Sequence, residues 1–110
     1  MRTAAQIKLL PAELGMVKTA MKAYSRNLIG SKKRLFDIAL NRVLASDNGT
    51  FLMDGMELEY VRRALCKYAW FHYANHNRDT AGIYFELAYW VKEKKAEFQA
   101  ENGPKIKQLA

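Results

Sequence analysis

Apolar residues recur along this chain at the spacing of helices. From Leu58 to Asn75 the positions Leu58, Val61, Leu65, Tyr68, His72 and Asn75 advance by alternating steps of three and four, laying one seam along an α-helix. Within that stretch Tyr68-Ala69-Trp70-Phe71-His72-Tyr73 sets large rings all around the axis, so the helix requires neighbours on more than one side. A second seam, Leu10, Leu14, Val17, Met21, Tyr24 and Leu28, is the most regular in the chain, and Pro11 suits the first turn of a helix, where no N–H is needed. Gly15 either weakens this helix or admits another element closely. A third helix carries Phe36, Ala39, Leu40, Val43 and Leu44 at i, i+3, i+4, i+7 and i+8; Leu35 and Ile38 widen its apolar arc, which predicts deep burial. A fourth presents Tyr84, Leu87, Ala88, Val91 and Phe98 on one face.

Punctuation residues place the boundaries. Gly30 can take the left-handed conformation that ends a helix, and Ser31 is a natural N-cap for the next. Asp47-Asn48-Gly49 has turn chemistry, and Thr50-Phe51-Leu52-Met53 is expected to fold back over the core. Asp54 followed by Glu57 matches a capping box, and Asp79 is a candidate cap after the short break at Asn75, Asn77 and Arg78. Asn102-Gly103-Pro104 is a stop signal, with 103–110 expected as a flexible tail. Residues 1–9 show no clear period and are expected to form a short arm, and no strand pattern is visible. The sum is an all-α fold: a compact bundle of four principal helices near 11–28, 31–46, 55–76 and 80–101. Its last two helices, within 54–102, form an aromatic-rich antiparallel hairpin.

A length of 110 residues, half of them hydrophobic, fits one folded domain. Cys66 is the only cysteine, which excludes an internal disulfide and a cysteine-based zinc site and points to a reducing, cytoplasmic setting. No run approaches the ~20 apolar residues of a membrane span, so no membrane partner is expected. The N-terminus is basic and acid-poor like an organellar transit peptide, but the helix it forms completes the core pattern.

Charge changes the picture more. The net +7 lies wholly in residues 1–46, where nine Lys or Arg face only Glu13 and Asp37; residues 47–110 balance at nine against nine. That asymmetry points to an anionic partner, either nucleic acid or an acidic protein surface. Lys18, Lys22 and Arg26 form a ridge at i, i+4 and i+8. Ser31-Lys32-Lys33-Arg34 puts three cations at a helix N-terminus, where the dipole favours anions; exposed N–H groups together with cations complement a phosphate. These seven residues are the candidate anion-binding set. The pattern fits a helix-turn-helix with Ser31, Lys32, Lys33 and Asn41 facing DNA, and it fits a plain helical hairpin equally well.

Tyr60, Trp70, Phe71, Tyr73, Tyr89 and Trp90 are candidate contacts for a homodimer or another partner. Adjacent rings such as Trp70 and Phe71 point about 100° apart and cannot both enter one core. Rings could also stack on RNA bases, but these arrive without interleaved Lys or Arg, which favours core or interface. His72 and His76 share a helical face, yet lack the pattern of a metalloprotease; no metal site, cofactor or catalytic residue is expected, and the chain is read as no enzyme. Two function classes follow. One is a small nucleic-acid-binding regulator that dimerises or binds a partner through its rings. The other is an inhibitor or adaptor, of the kind encoded by phages or mobile elements, docking its basic face on an acidic protein.

Overall fold

The four seams become four helices in the computed structural model, which describes residues 4–102. They are α1 (Pro11–Ser25), α2 (Gly30–Ala45), α3 (Gly55–Ala74) and α4 (Arg78–Asn102). The tail expected at 103–110 lies outside the described residues, as do residues 1–3. Capping explains where two of the helices begin. The Leu10 N–H donates to Glu13 Oε1 at 2.8 Å ahead of Pro11. At α3 the reciprocal pair is complete: Asp54 Oδ1 accepts from the Glu57 N–H at 2.8 Å, and Glu57 Oε1 accepts from the Asp54 N–H at 2.9 Å.

The N-terminal arm is not an arm. Residues Ala5–Lys8 form strand β1, which pairs antiparallel with β2 (Thr50–Met53) in the register Ala5↔Met53, Gln6↔Leu52, Ile7↔Phe51, Lys8↔Thr50. The element order is thus β1-α1-α2-β2-α3-α4. Ile7, Phe51 and Met53 are buried while Gln6, Lys8 and Leu52 face out, so the ribbon lays one apolar face on the bundle. The Leu9 N–H continues the pairing to the Gly49 carbonyl at 2.8 Å. Gly49, at φ +81°, must be glycine there, because a Cβ would strike the Leu9 carbonyl. Buried Ser46 completes this turn, accepting from the Gly49 N–H and donating to the Thr50 carbonyl, each at 3.1 Å.

Three further boundaries differ from expectation. Helix α1 stops at Ser25, and Leu28 reaches the core through a turn in which its N–H donates to the Ser25 carbonyl at 3.1 Å. Gly30 has the left-handed φ expected of it, +66°, but opens α2, leaving extended Ile29 at the cap and Ser31 inside the first turn. Asn77 rather than Asp79 caps α4: its carbonyl accepts from the Ala81 N–H at 3.0 Å and its side-chain oxygen from the Thr80 hydroxyl at 3.4 Å.

The core runs along the seams, with Leu14, Val17 and Met21 of α1 meeting Phe36, Ala39 and Val43 of α2 and Leu58, Val61, Ala64 and Leu65 of α3. Helix α4 adds Tyr84, Leu87, Ala88 and Val91, and pairs with α3 in the expected antiparallel hairpin. Helix α2 is not deeply buried. Leu35 is 55% and Ile38 52% exposed and Leu44 lies at the margin, because α1, α3 and β2 cover only one of its sides. Arg42 fastens that side, donating from Nη1 to the Leu52 carbonyl at 3.1 Å and pairing with Glu57 at 3.2 Å. No described helix is long and apolar enough to cross a membrane.

Candidate nucleic-acid interface

Small residues on two facing helices open a concavity between α1 and α3. Ala20 and Ala23 of α1 lie opposite Ala64 of α3, and their short side chains leave a groove of about 940 Å³. On the α1 side Thr19, Ala23 and Arg26 follow at i, i+4 and i+7, joined by Lys22, Tyr24 and Asn27. On the α3 side Ala64, Lys67, Tyr68 and Phe71 repeat the same spacing, joined by Trp70. The folded chain thus interleaves cations with rings. Lys67 already stands beside the rings on α3, whereas Lys22 and Arg26 are distant in sequence and come to Trp70 and Phe71 only through the packing of α1 on α3.

The groove is electrostatically one-sided. Lys22, Arg26 and Lys67 line it, no Asp or Glu does, and none of the three makes an ion pair with a described residue. Elsewhere several cations are engaged. Glu59, almost fully buried on α3, accepts from Arg62, from Arg63 at 2.9 Å and from Lys95 of α4 at 3.1 Å. These bonds, Arg62 foremost, hold its carboxyl far below its ordinary value of 4.5 despite the opposing effect of burial. Lys94 reaches Glu97 at 3.5 Å and lies 5.4 Å over the Trp90 ring.

The cluster at the start of α2 divides. Lys33 turns back to the end of α1, where its Nζ donates to the Ser25 hydroxyl at 2.7 Å and the Ser25 carbonyl at 3.3 Å and pairs with Asp37 at 3.3 Å. A cation at an unfavourable helix start is thereby matched to the negative C-terminal end of the preceding helix. The Ser25 hydroxyl also donates to Asp37 Oδ1 at 2.7 Å, and this bond, with Lys33, lowers the Asp37 pKa against the effect of desolvation. Ser31, Lys32, Arg34 and Asn41 are exposed. Consecutive helical positions diverge by about 100°, so Lys32 and Arg34 leave α2 in different directions from Lys33. Lys18, half-buried, lies one turn before Lys22, outside the groove lining.

The aromatic candidates divide too. Tyr60 packs tilted against buried Phe36, ring centroids 5.6 Å apart, and belongs to the core margin, as does half-buried Trp90. Trp70 is 59% and Phe71 58% exposed at the groove, Trp70 braced edge-on by Phe85 at 5.1 Å and Tyr73 at 5.5 Å. Tyr73 carries Arg78 at 5.5 Å over its ring, and Tyr89 is exposed. His72 is packed, stacked on Tyr84 at 5.7 Å and edge-on to Tyr68 at 4.7 Å, while Tyr84's own pKa is raised by burial. Among the described residues no three His, Cys, Asp or Glu gather closely enough to hold a metal ion.

Lys67 and Asn27 were missed from sequence. Lys67 stands three and four positions before Trp70 and Phe71, the spacing of neighbours on a helix face, and that was the available signal. The chain matches no protein-family model, no curated protein and no solved structure.

Proposed function

We propose that this protein is a small non-enzymatic regulator that binds nucleic acid through the groove between α1 and α3 and the basic surface around it. One observation carries the proposal: Lys22, Arg26 and Lys67 converge on a carboxylate-free concavity without ion-pair partners among the described residues, although carboxylates elsewhere on the molecule hold up to three cations each. Unpaired cations gathered on one surface attract a polyanion and release its counterions on binding. Lys18, one turn before Lys22, adds to this charge, and Lys32 and Arg34 on α2 are further exposed cations without an ion pair to a described residue.

Anisotropy titrations with labelled duplex and single-stranded oligonucleotides over a series of salt concentrations test this. Affinity should fall steeply with salt, and Lys22→Glu/Arg26→Glu should weaken it roughly tenfold or more. No binding at low salt would refute nucleic-acid binding and favour the inhibitor or adaptor that docks on an acidic protein. A homodimer through exposed Tyr73 and Tyr89 is part of the proposal, as is a cytoplasmic setting, which the free thiol of Cys66 supports.

A further inference from the structure

We infer that the groove takes a single strand, with unpaired bases against Trp70 and Phe71 and phosphates on Lys22, Arg26 and Lys67. This rests on the nucleic-acid reading above and names its substrate class. A duplex offers a protein surface its phosphates and groove edges, while the faces of its bases are spent on each other. Cations alone would suit such a partner. This groove combines its cations with two large rings that remain more than half exposed, although burying such rings is among the most favourable things a fold can do. An unpaired base supplies the missing partner, a flat π-face that stacks on either ring whatever its sequence. Trp70 is also held in place, braced by Phe85 and Tyr73, so little ordering is required when a base arrives.

The cations are placed to follow a backbone past those rings. Arg26, at the C-cap of α1, follows Lys22 by one turn, about 6 Å along the helix axis, enough to serve separate phosphates. Lys67 lies on the opposite wall. Asn27, also in the lining, adds an amide that can donate to or accept from a base edge. An acidic polypeptide would satisfy the charges but offers a stacking face only where it carries an aromatic residue, whereas every unpaired nucleotide brings one.

Intrinsic tryptophan fluorescence tests this in the full chain carrying Trp90→Phe, which leaves Trp70 as the only reporter. Short oligo-uridylate and oligo-deoxythymidylate should quench Trp70 and bind at least tenfold more tightly than a duplex of equal length. A log–log salt slope near −2 would correspond to about three phosphates. In the otherwise unchanged chain, Trp70→Ala should cost about 5- to 100-fold in single-strand affinity. Lys67→Gln, which leaves the rings in place, should reduce the slope by about 0.7. The relative affinities of the two oligomers then tell RNA from DNA, and either preference supports the inference. Duplex bound as tightly as single strand, with Trp70 unquenched, would overturn the single-strand inference and leave general nucleic-acid binding standing. If neither form binds at low salt, both fall. Quenching of Trp70 by poly-glutamate alone would assign the groove to an acidic polypeptide.

Discussion

Two charged clusters at the residue scale make the most direct predictions. Glu59 is held ionised by three cations from two helices, so its stabilising contribution is complete above its ordinary pKa of 4.5 and is lost as pH falls toward its much lower folded value. Glu59→Gln should therefore cost about 2 kcal/mol at pH 7, the scale of hydrogen bonds to a charged group. Urea unfolding should show that gap narrowing from pH 7 to pH 2; a constant gap would contradict the assignment. At the α1–α2 corner the Ser25 hydroxyl is the main cause of the lowered Asp37 pKa, so Ser25→Ala should raise it, as followed by carboxyl NMR titration. This corner also shows why the role of Lys33 was illegible. Sequence places a cation at a helix start and flags it as anomalous; Asp37 stands four residues on, but the Ser25 hydroxyl and carbonyl that complete the Lys33 site lie eight residues back, at the end of another helix.

Glycines separate the effects that operate at the element scale. Gly15 lies exposed within α1, and a methyl group added there would meet nothing within 4 Å; Gly15→Ala should stabilise the protein by about 0.5–1 kcal/mol. Gly49→Ala should destabilise it by about 2 kcal/mol or more, combining a left-handed backbone with collision on the Leu9 carbonyl. Thermal melts of the two variants should move in opposite directions. The helices were legible because each repeats its apolar step over about two and a half turns or more, and the Asp54–Glu57 pair marks the start of α3 chemically. The strands were not. Ile7 and Leu9 alternate with Gln6 and Lys8 for too few residues to establish a period, and outward-facing Leu52 breaks the alternation in β2. Leu35 and Ile38 misled in the opposite sense, since hydrophobicity alone does not reveal which side of α2 lacks a neighbour.

For the whole molecule, the charge imbalance between the two halves was legible, but the groove was not, because only packing brings Lys22 and Arg26 beside Lys67, Trp70 and Phe71. Sedimentation at tens of micromolar should give a dimer mass if Tyr73 and Tyr89 meet a second copy; a monomer would remove that part of the proposal. The ribbon has a bearing on the groove as well. Strand β1 leads through Leu9 and Leu10 into α1, and β2 leads through Asp54 into α3, so the two groove walls are rooted in one pair of strands. Ile7→Ala, expected to cost about 2–4 kcal/mol, should therefore also loosen the grip on a ligand that Ile7 never touches. On that expectation the gap between the walls would be gauged at their base, as the spread of a pair of tongs is set at the joint. Substitutions beneath the ribbon would retune what the jaws accept while leaving every contact residue in place.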